Sequence, residues 1–158
     1  MGPASQPLRL AVRRTAQGVE GDPDATHVHV RVPAEVQCIE EAVALVSRHC
    51  CGGVRAGRHL RFRLQVALSE ALANAIICGN RERPGSWVAV DAILRPESVR
   101  IRVTDEGTGF DPAGVPEPLR PEDLDRTCGR GLFLIRKLAD AVEFNPQGNS
   151  ICMTLRRP

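Results

Sequence analysis

The 158-residue sequence predicts an α/β fold (an α+β two-layer sandwich), with helices on one face of a mixed, mostly antiparallel sheet. Two observations predict it. Leu64, Leu68, Leu72 and Ile76 repeat with helical spacing through a long run at about 57–79. Val99, Ile101 and Val103 alternate with Arg100 and Arg102, the period-2 pattern of a half-buried strand.

The remaining elements follow in order. Residues 1–24 are rich in Pro, Gly and polar side chains and are expected to be flexible, although Leu8, Leu10 and Val12 alternate as a short edge strand would. A strand is expected at about 26–32. Pro33 suits the first position of a helix whose apolar stripe is Val36, Ile39, Val43 and Val46, and Cys51-Gly52-Gly53 ends it. After the 57–79 helix come strands near 86–94 and 98–104. A connection from 111 to 128 then carries four prolines, a length more typical of a functional lid than of a structural link. A helix at 130–140 and strands near 142–145 and 150–156 complete one folded domain, 25–158.

Composition narrows the function. Net charge is +2, with basic residues spread along the chain rather than striped, which gives no case for direct nucleic-acid binding. No apolar run approaches the ~20 residues of a membrane span, and no signal-peptide core follows Met1, so a cytoplasmic location without membrane contact is expected. The six cysteines form no C-x-x-C pair, which favours reduced thiols over a disulfide framework or a zinc site. His27 and His29 share one strand face with no third ligand nearby, and a solvated face is the expectation there.

Three short motifs carry the chemistry. Glu70 and Asn74 lie four apart, on one face of the 57–79 helix. An Asn amide oxygen can ligate Mg²⁺, and a nearby Glu can take a proton from an attacking hydroxyl; the alternative is a solvated helix face. Asp105 continues the inward parity of Val103, aiming a carboxylate toward the core, where an adenine amino group is one donor that could meet it. Gly107 and Gly109 follow, where a backbone must turn or approach a ligand closely. Gly129-Arg130-Gly131 opens the 130–140 helix and presents free N–H groups to phosphate.

In this order and spacing the motifs resemble the GHKL ATP-binding fold. Glu70-x-x-x-Asn74 looks like its N-box, Asp105-x-Gly107-x-Gly109 its first glycine box and Gly129-x-Gly131 its second. Within that superfamily the chain is similar to the anti-sigma-factor serine/threonine kinases from about His27 to Arg157, most specifically over Ser69–Ile77. The resemblance implies ATP and Mg²⁺ as cofactors, with Asn74 as the metal ligand and Asp105 on the adenine. It implies Gly107 and Gly109 beside the base, Gly129 and Gly131 at a lid over the phosphates, and Ser150 near the adenine. Arg126 or Arg130 would supply a cation, and Glu70 would activate a serine hydroxyl on a protein substrate. A sigma factor and an anti-sigma-factor antagonist are the implied partners, and a homodimer is implied, with strand 26–32 offering a pairing edge or face.

The sequence departs from those kinases at Cys78-Gly79, where they commonly carry His followed by Gly or Ala, and at Thr127, where the lid commonly carries an Arg. Two other readings stand beside the kinase: a non-catalytic nucleotide-binding partner switch, and the ATP-binding domain of a sensor histidine kinase. Retention of Glu70 argues against the first. The second lacks an upstream helix with a phospho-accepting His.

Overall fold

The computed structural model describes residues 7–14, 25–52, 57–81, 83–111 and 130–158. The chain runs β1 (Arg9–Arg14), β2 (Thr26–Pro33), α1 (Ile39–Cys51), α2 (Arg58–Ala73), β3 (Trp87–Leu94), β4 (Ser98–Thr104), α3 (Arg130–Leu138), β5 (Ala141–Phe144) and β6 (Ser150–Arg156). The strands form one six-stranded sheet in the order β1-β2-β3-β4-β6-β5. Every pairing is antiparallel, so the expected mixed sheet is corrected. The chain does return parallel to β4 when it enters β5, but β6 lies between the two and pairs with both.

Strand parity decides the layers. Val28, Val30 and Val32 on β2 align with Ala92, Val90 and Val88 on β3. These continue through Ile101 and Val103 to Met153 and Ile151. This is the face that the helices cover. Leu60, Leu64, Leu68, Leu72 and Ile76 recur every four residues on α2 and just beyond it, and all are fully buried. Each such side chain contributes about 1.5–3 kcal/mol by leaving water.

Two polar positions on α2 fasten its neighbours. Arg61 donates to the Cys51 carbonyl at the end of α1 (3.0 Å), and Arg63 donates to the Leu138 carbonyl at the end of α3 (2.7 Å). Guanidinium groups at helix C-termini satisfy orphan carbonyls and suit the negative end of the dipole.

Two local expectations fail. Pro33 ends β2 opposite Trp87 rather than starting a helix, because Ala34 continues the extended backbone by donating to the Ser86 carbonyl. Val36 consequently sits in a single 3-10 turn and is exposed, outside the apolar stripe. Strand β2 is also no edge: β1 pairs along it, and β1 and β5 are the edges of the sheet. No described helix is long and apolar enough to cross a membrane.

Cys38, Cys50, Cys51 and Cys152 are buried cysteines outside any disulfide. Burial, with the neighbouring Cys51, pushes the Cys50 thiol up to about 12, which keeps it protonated and inert. Cys78 differs: it is disulfide-bonded, which corrects the reading of every cysteine as a reduced thiol.

Candidate functional site

The site grows from the C-terminal end of α2. At Asn74 the helix widens into a π turn, Asn74–Gly79, closed by the Asn80 N–H donating to the Ala75 carbonyl at 2.8 Å. Such widened turns favour functional sites because they re-aim side chains within a continuous helix. Glu70 and Asn74 lie on the half-buried face just before it. The first turn of α3 packs directly on them. A Cβ on Gly131 would fall 2.6 Å from Glu70 Oε2 and 3.3 and 3.4 Å from the Asn74 amide nitrogen and oxygen. Only glycine permits that approach. The N-box and the second glycine box are thus one contact.

A second cluster sits at the other end of the π turn. Asp105 follows β4, and its Oδ1 accepts from the Gly107 N–H at 2.7 Å. Its Oδ2 has no hydrogen-bond donor among the described residues. Burial raises the Asp105 pKa above the usual carboxylate value, and the Gly107 N–H offsets part of that rise. A Cβ on Gly79 would overlap this carboxylate, and one on Gly107 would overlap the Gly79 carbonyl. Gly109 has φ 79° and Gly148 φ 77°, left-handed conformations in which the two loops touch, Gly109 against the Gln147 carbonyl and Gly148 against that of Phe110.

Two asparagines hold the Asp105 loop. Asn80 is 2% exposed. Its Oδ1 accepts from the Glu106 N–H (2.8 Å), and its Nδ2 donates to the Trp87 carbonyl (3.1 Å). The Asn149 carbonyl accepts from the Asp105 N–H (2.9 Å), and its Nδ2 donates to the Asp105 carbonyl (3.3 Å). Neither was anticipated. The signal for Asn80 was its place directly after Cys78-Gly79, where a helix must stop.

The structure therefore gathers Glu70, Asn74 and Gly131 at one end of the π turn and Asp105, Gly107 and Gly79 at the other, with Cys78 between. Gly109 joins through the 145–149 loop. Ser150 is a correction. It lies on the opposite face of the sheet, where its hydroxyl pairs with Thr104 Oγ1 at 2.8 Å. Strand parity puts neighbours on opposite faces, so Asn149 is the residue beside Asp105. Gly129, Arg126 and Thr127 lie outside the described residues, as do most of the 111–128 connection and the side chain of Arg130. His29 Nδ1 lies 2.6 Å from Asp91, and among the described residues no three metal-capable side chains gather.

The donor set fits a nucleotide and a hard cation. One Asp105 carboxylate oxygen has no donor among the described residues, an amide oxygen and a second carboxylate stand about a helical turn apart, and glycines bring backbone against both clusters more closely than any Cβ would allow.

Comparison with known proteins agrees with this geometry. Residues 32–155 match the family model of the histidine kinase-like ATPase domain. The chain is 31% identical over 98 residues to a serine-protein kinase RsbW of Listeria monocytogenes serovar 1/2a, covering 58% of this chain and 62% of that protein. It is 31% identical over 97 residues to an anti-sigma F factor of Oceanobacillus iheyensis, covering 58% and 66%. An anti-sigma F factor of Heyndrickxia coagulans is 36% identical over 92 residues, covering 54% and 60%. The matches thus span about three-fifths of these relatives' lengths.

Proposed function

Because this chain belongs to the histidine kinase-like ATPase domain family, we propose that it is an ATP-dependent serine/threonine protein kinase acting as an anti-sigma factor. Its substrate is a serine on an anti-sigma-factor antagonist, and its second partner is a sigma factor. The names of the relatives support both roles. The observation that carries the reading is the contact of Gly131 with Glu70 and Asn74. It brings Glu70, Asn74 and the first turn of α3 together, which supports the roles of base, cation ligand and phosphate-facing helix end.

Each residue has a distinct task. Asp105 would accept from the adenine amino group through Oδ2, and Gly107 and Gly109 would border the base, while Gly79 lets the π turn pack against the Asp105 carboxylate. Asn74 would hold Mg²⁺, and the metal would supply charge neutralisation for the phosphates. Gly129 and Gly131 let the backbone approach the phosphates, and Arg130 is the candidate cation. Glu70 takes the proton from the substrate serine hydroxyl as its oxygen attacks the γ-phosphorus; the bond to the β-phosphate oxygen breaks, and ADP leaves. The protein works in the cytoplasm as a homodimer, and the outer edge of β1, which no other described strand pairs with, is the surface we assign to pairing.

The test uses purified antagonist, Mg-ATP and mass spectrometry of phosphoserine. Glu70→Gln is expected to lower phosphoryl transfer ~10²–10⁴-fold, because an amide keeps the size and loses the basicity. ATP affinity should hold. Transfer at the wild-type rate by Glu70→Gln would reject the base, and a wild type that binds ATP and a sigma factor but transfers nothing would be a partner switch without catalysis.

A further inference from the structure

The face of the sheet away from the helices carries a charge pattern that the nucleotide site does not use. Parity places Arg9, Arg31, Arg100, Arg102 and Arg156 on it, against Asp91 and Glu143. Two of the carboxylate contacts are already committed. Asp91 holds His29 (2.6 Å), and Glu143 holds Arg100 (3.0 Å). Arg102, cross-strand from Asp91, has no ion pair or hydrogen bond among the described residues and is exposed. Arg9 and Arg31 stand directly opposite each other, an arrangement that repels, and neither makes an ion pair among the described residues. Both instead lie over the Trp87 ring, at 5.4 and 4.6 Å from its centroid.

Beside Arg102 the face hollows into a groove of about 480 Å³, lined by Arg100, Arg102, Thr104, Glu143, Asn145 and Ser150. No described helix covers it. An exposed Arg9 and a half-buried Arg31 stacked on a half-buried tryptophan, with Arg102 exposed beyond them, have the composition of an interface rather than of a solvated sheet.

We infer that this open face docks an acidic, extended segment of a protein partner, with carboxylates seated on Arg102 and Arg31 and apolar matter against Trp87. Charge complementarity selects that occupant. A second copy of this chain would bring five arginines against five, so self-association through this face is disfavoured. The register fixes the spacing as well. Arg31 and Arg102 are two strands and two residues apart, a separation of ~12 Å. Residues four apart in an extended chain span ~13 Å. The segment should therefore carry acidic side chains at positions i and i+4. This assignment stands apart from the nucleotide site and holds whether or not phosphate is transferred.

Trp87 is the single tryptophan of the chain and reports directly on the face. The probe is a synthetic peptide with two Glu four apart in a Thr/Val background, compared with its Gln twin and with an oligothymidylate. Wild-type protein is expected to bind the Glu peptide with a change in Trp87 emission, more tightly at low salt. The Gln twin, and the Arg31→Glu/Arg102→Glu variant with the Glu peptide, should bind ~10-fold more weakly, while the variant keeps wild-type ATP affinity as its fold control. Equal binding of the two peptides, no binding of either, or no effect of the variant would overturn the inference. Tighter binding of the oligothymidylate would overturn it in favour of nucleic acid. A dimer that the variant dissociates would overturn it in favour of a second copy.

Discussion

The two ends of the α2–α3 pair are built on opposite principles. At the far end, Arg63 donates to both the Leu138 carbonyl and the Asp140 carboxylate, each at 2.7 Å. The same carboxylate accepts from the Arg156 N–H, and the Asp140 N–H bonds to Thr154. At the near end the helices meet where an atom has been left out: Gly131 lies against Glu70 and Asn74 because it has no Cβ. One end is fixed by hydrogen bonds made, the other by volume withheld. Losing atoms should therefore hurt the first, and gaining a single carbon should hurt the second.

The sharpest way to break this contrast is Gly131→Ala. Alanine is favoured over glycine within a helix by about 1 kcal/mol, so the melting temperature should stay level or rise slightly. The added Cβ, 2.6 Å from Glu70 Oε2, must displace the Glu70 carboxylate, the base we propose, or the helix. Phosphoryl transfer should fall ~10²-fold, the cost of misplacing a reacting group by about an ångström. Thermal melts beside phosphoserine yields check it. Full activity in Gly131→Ala would mean that the near end has slack.

Asn80 sharpens the comparison, because it is where the near end does rely on bonds. Asn80→Ala would remove the buried amide that serves both the Glu106 N–H and the Trp87 carbonyl. The expected loss is about 2 kcal/mol of unfolding free energy, read from urea midpoints. Nucleotide affinity should fall with it, since the Asp105 loop hangs from this contact. A variant with wild-type affinity would show that Asn149 alone suffices to hold Asp105.

Much of this was legible in the sequence, for physical reasons. Periodicity reports burial, so the Leu64-to-Ile76 repeat and the Val99-to-Val103 alternation were readable. The site residues stood out where polar groups interrupted those patterns. What escaped depended on partners far along the chain. Pro33 suits a helix start locally, yet the Ser86 carbonyl keeps the backbone extended there. Ser150 and Asn149 are both plausible neighbours of Asp105 until the register with β4 assigns each its face. Asn80 has no pattern of its own, and its burial comes from β3 and the Asp105 loop folding over it. The arginines of the open face read as a solvated strand until the carboxylates beside them prove already engaged.

The smallest expected effect tests the far end and carries a pH signature. Hydrogen bonds from the Arg156 N–H and Arg63 hold the Asp140 carboxyl below the usual carboxylate value of 3.8. A lowered folded-state pKa means that the unfolded chain binds the proton more readily. The group therefore adds stability above about pH 4, and that contribution is lost as pH falls through the folded-state pKa. Asp140 is largely open to solvent, so screening limits the gain to about 0.5–1 kcal/mol. Asp140→Asn keeps the shape and removes the charge. Its urea midpoint should lie below the wild-type midpoint at pH 7, and the two should converge as pH falls through the folded-state pKa and the wild-type carboxyl is protonated. Raising the salt concentration should narrow the gap at pH 7 as well. A constant gap across the range would mean that shape rather than charge holds the far end. In that case the Arg63 bond to the Leu138 carbonyl, which has no titrating partner, would be the contact that fixes α3.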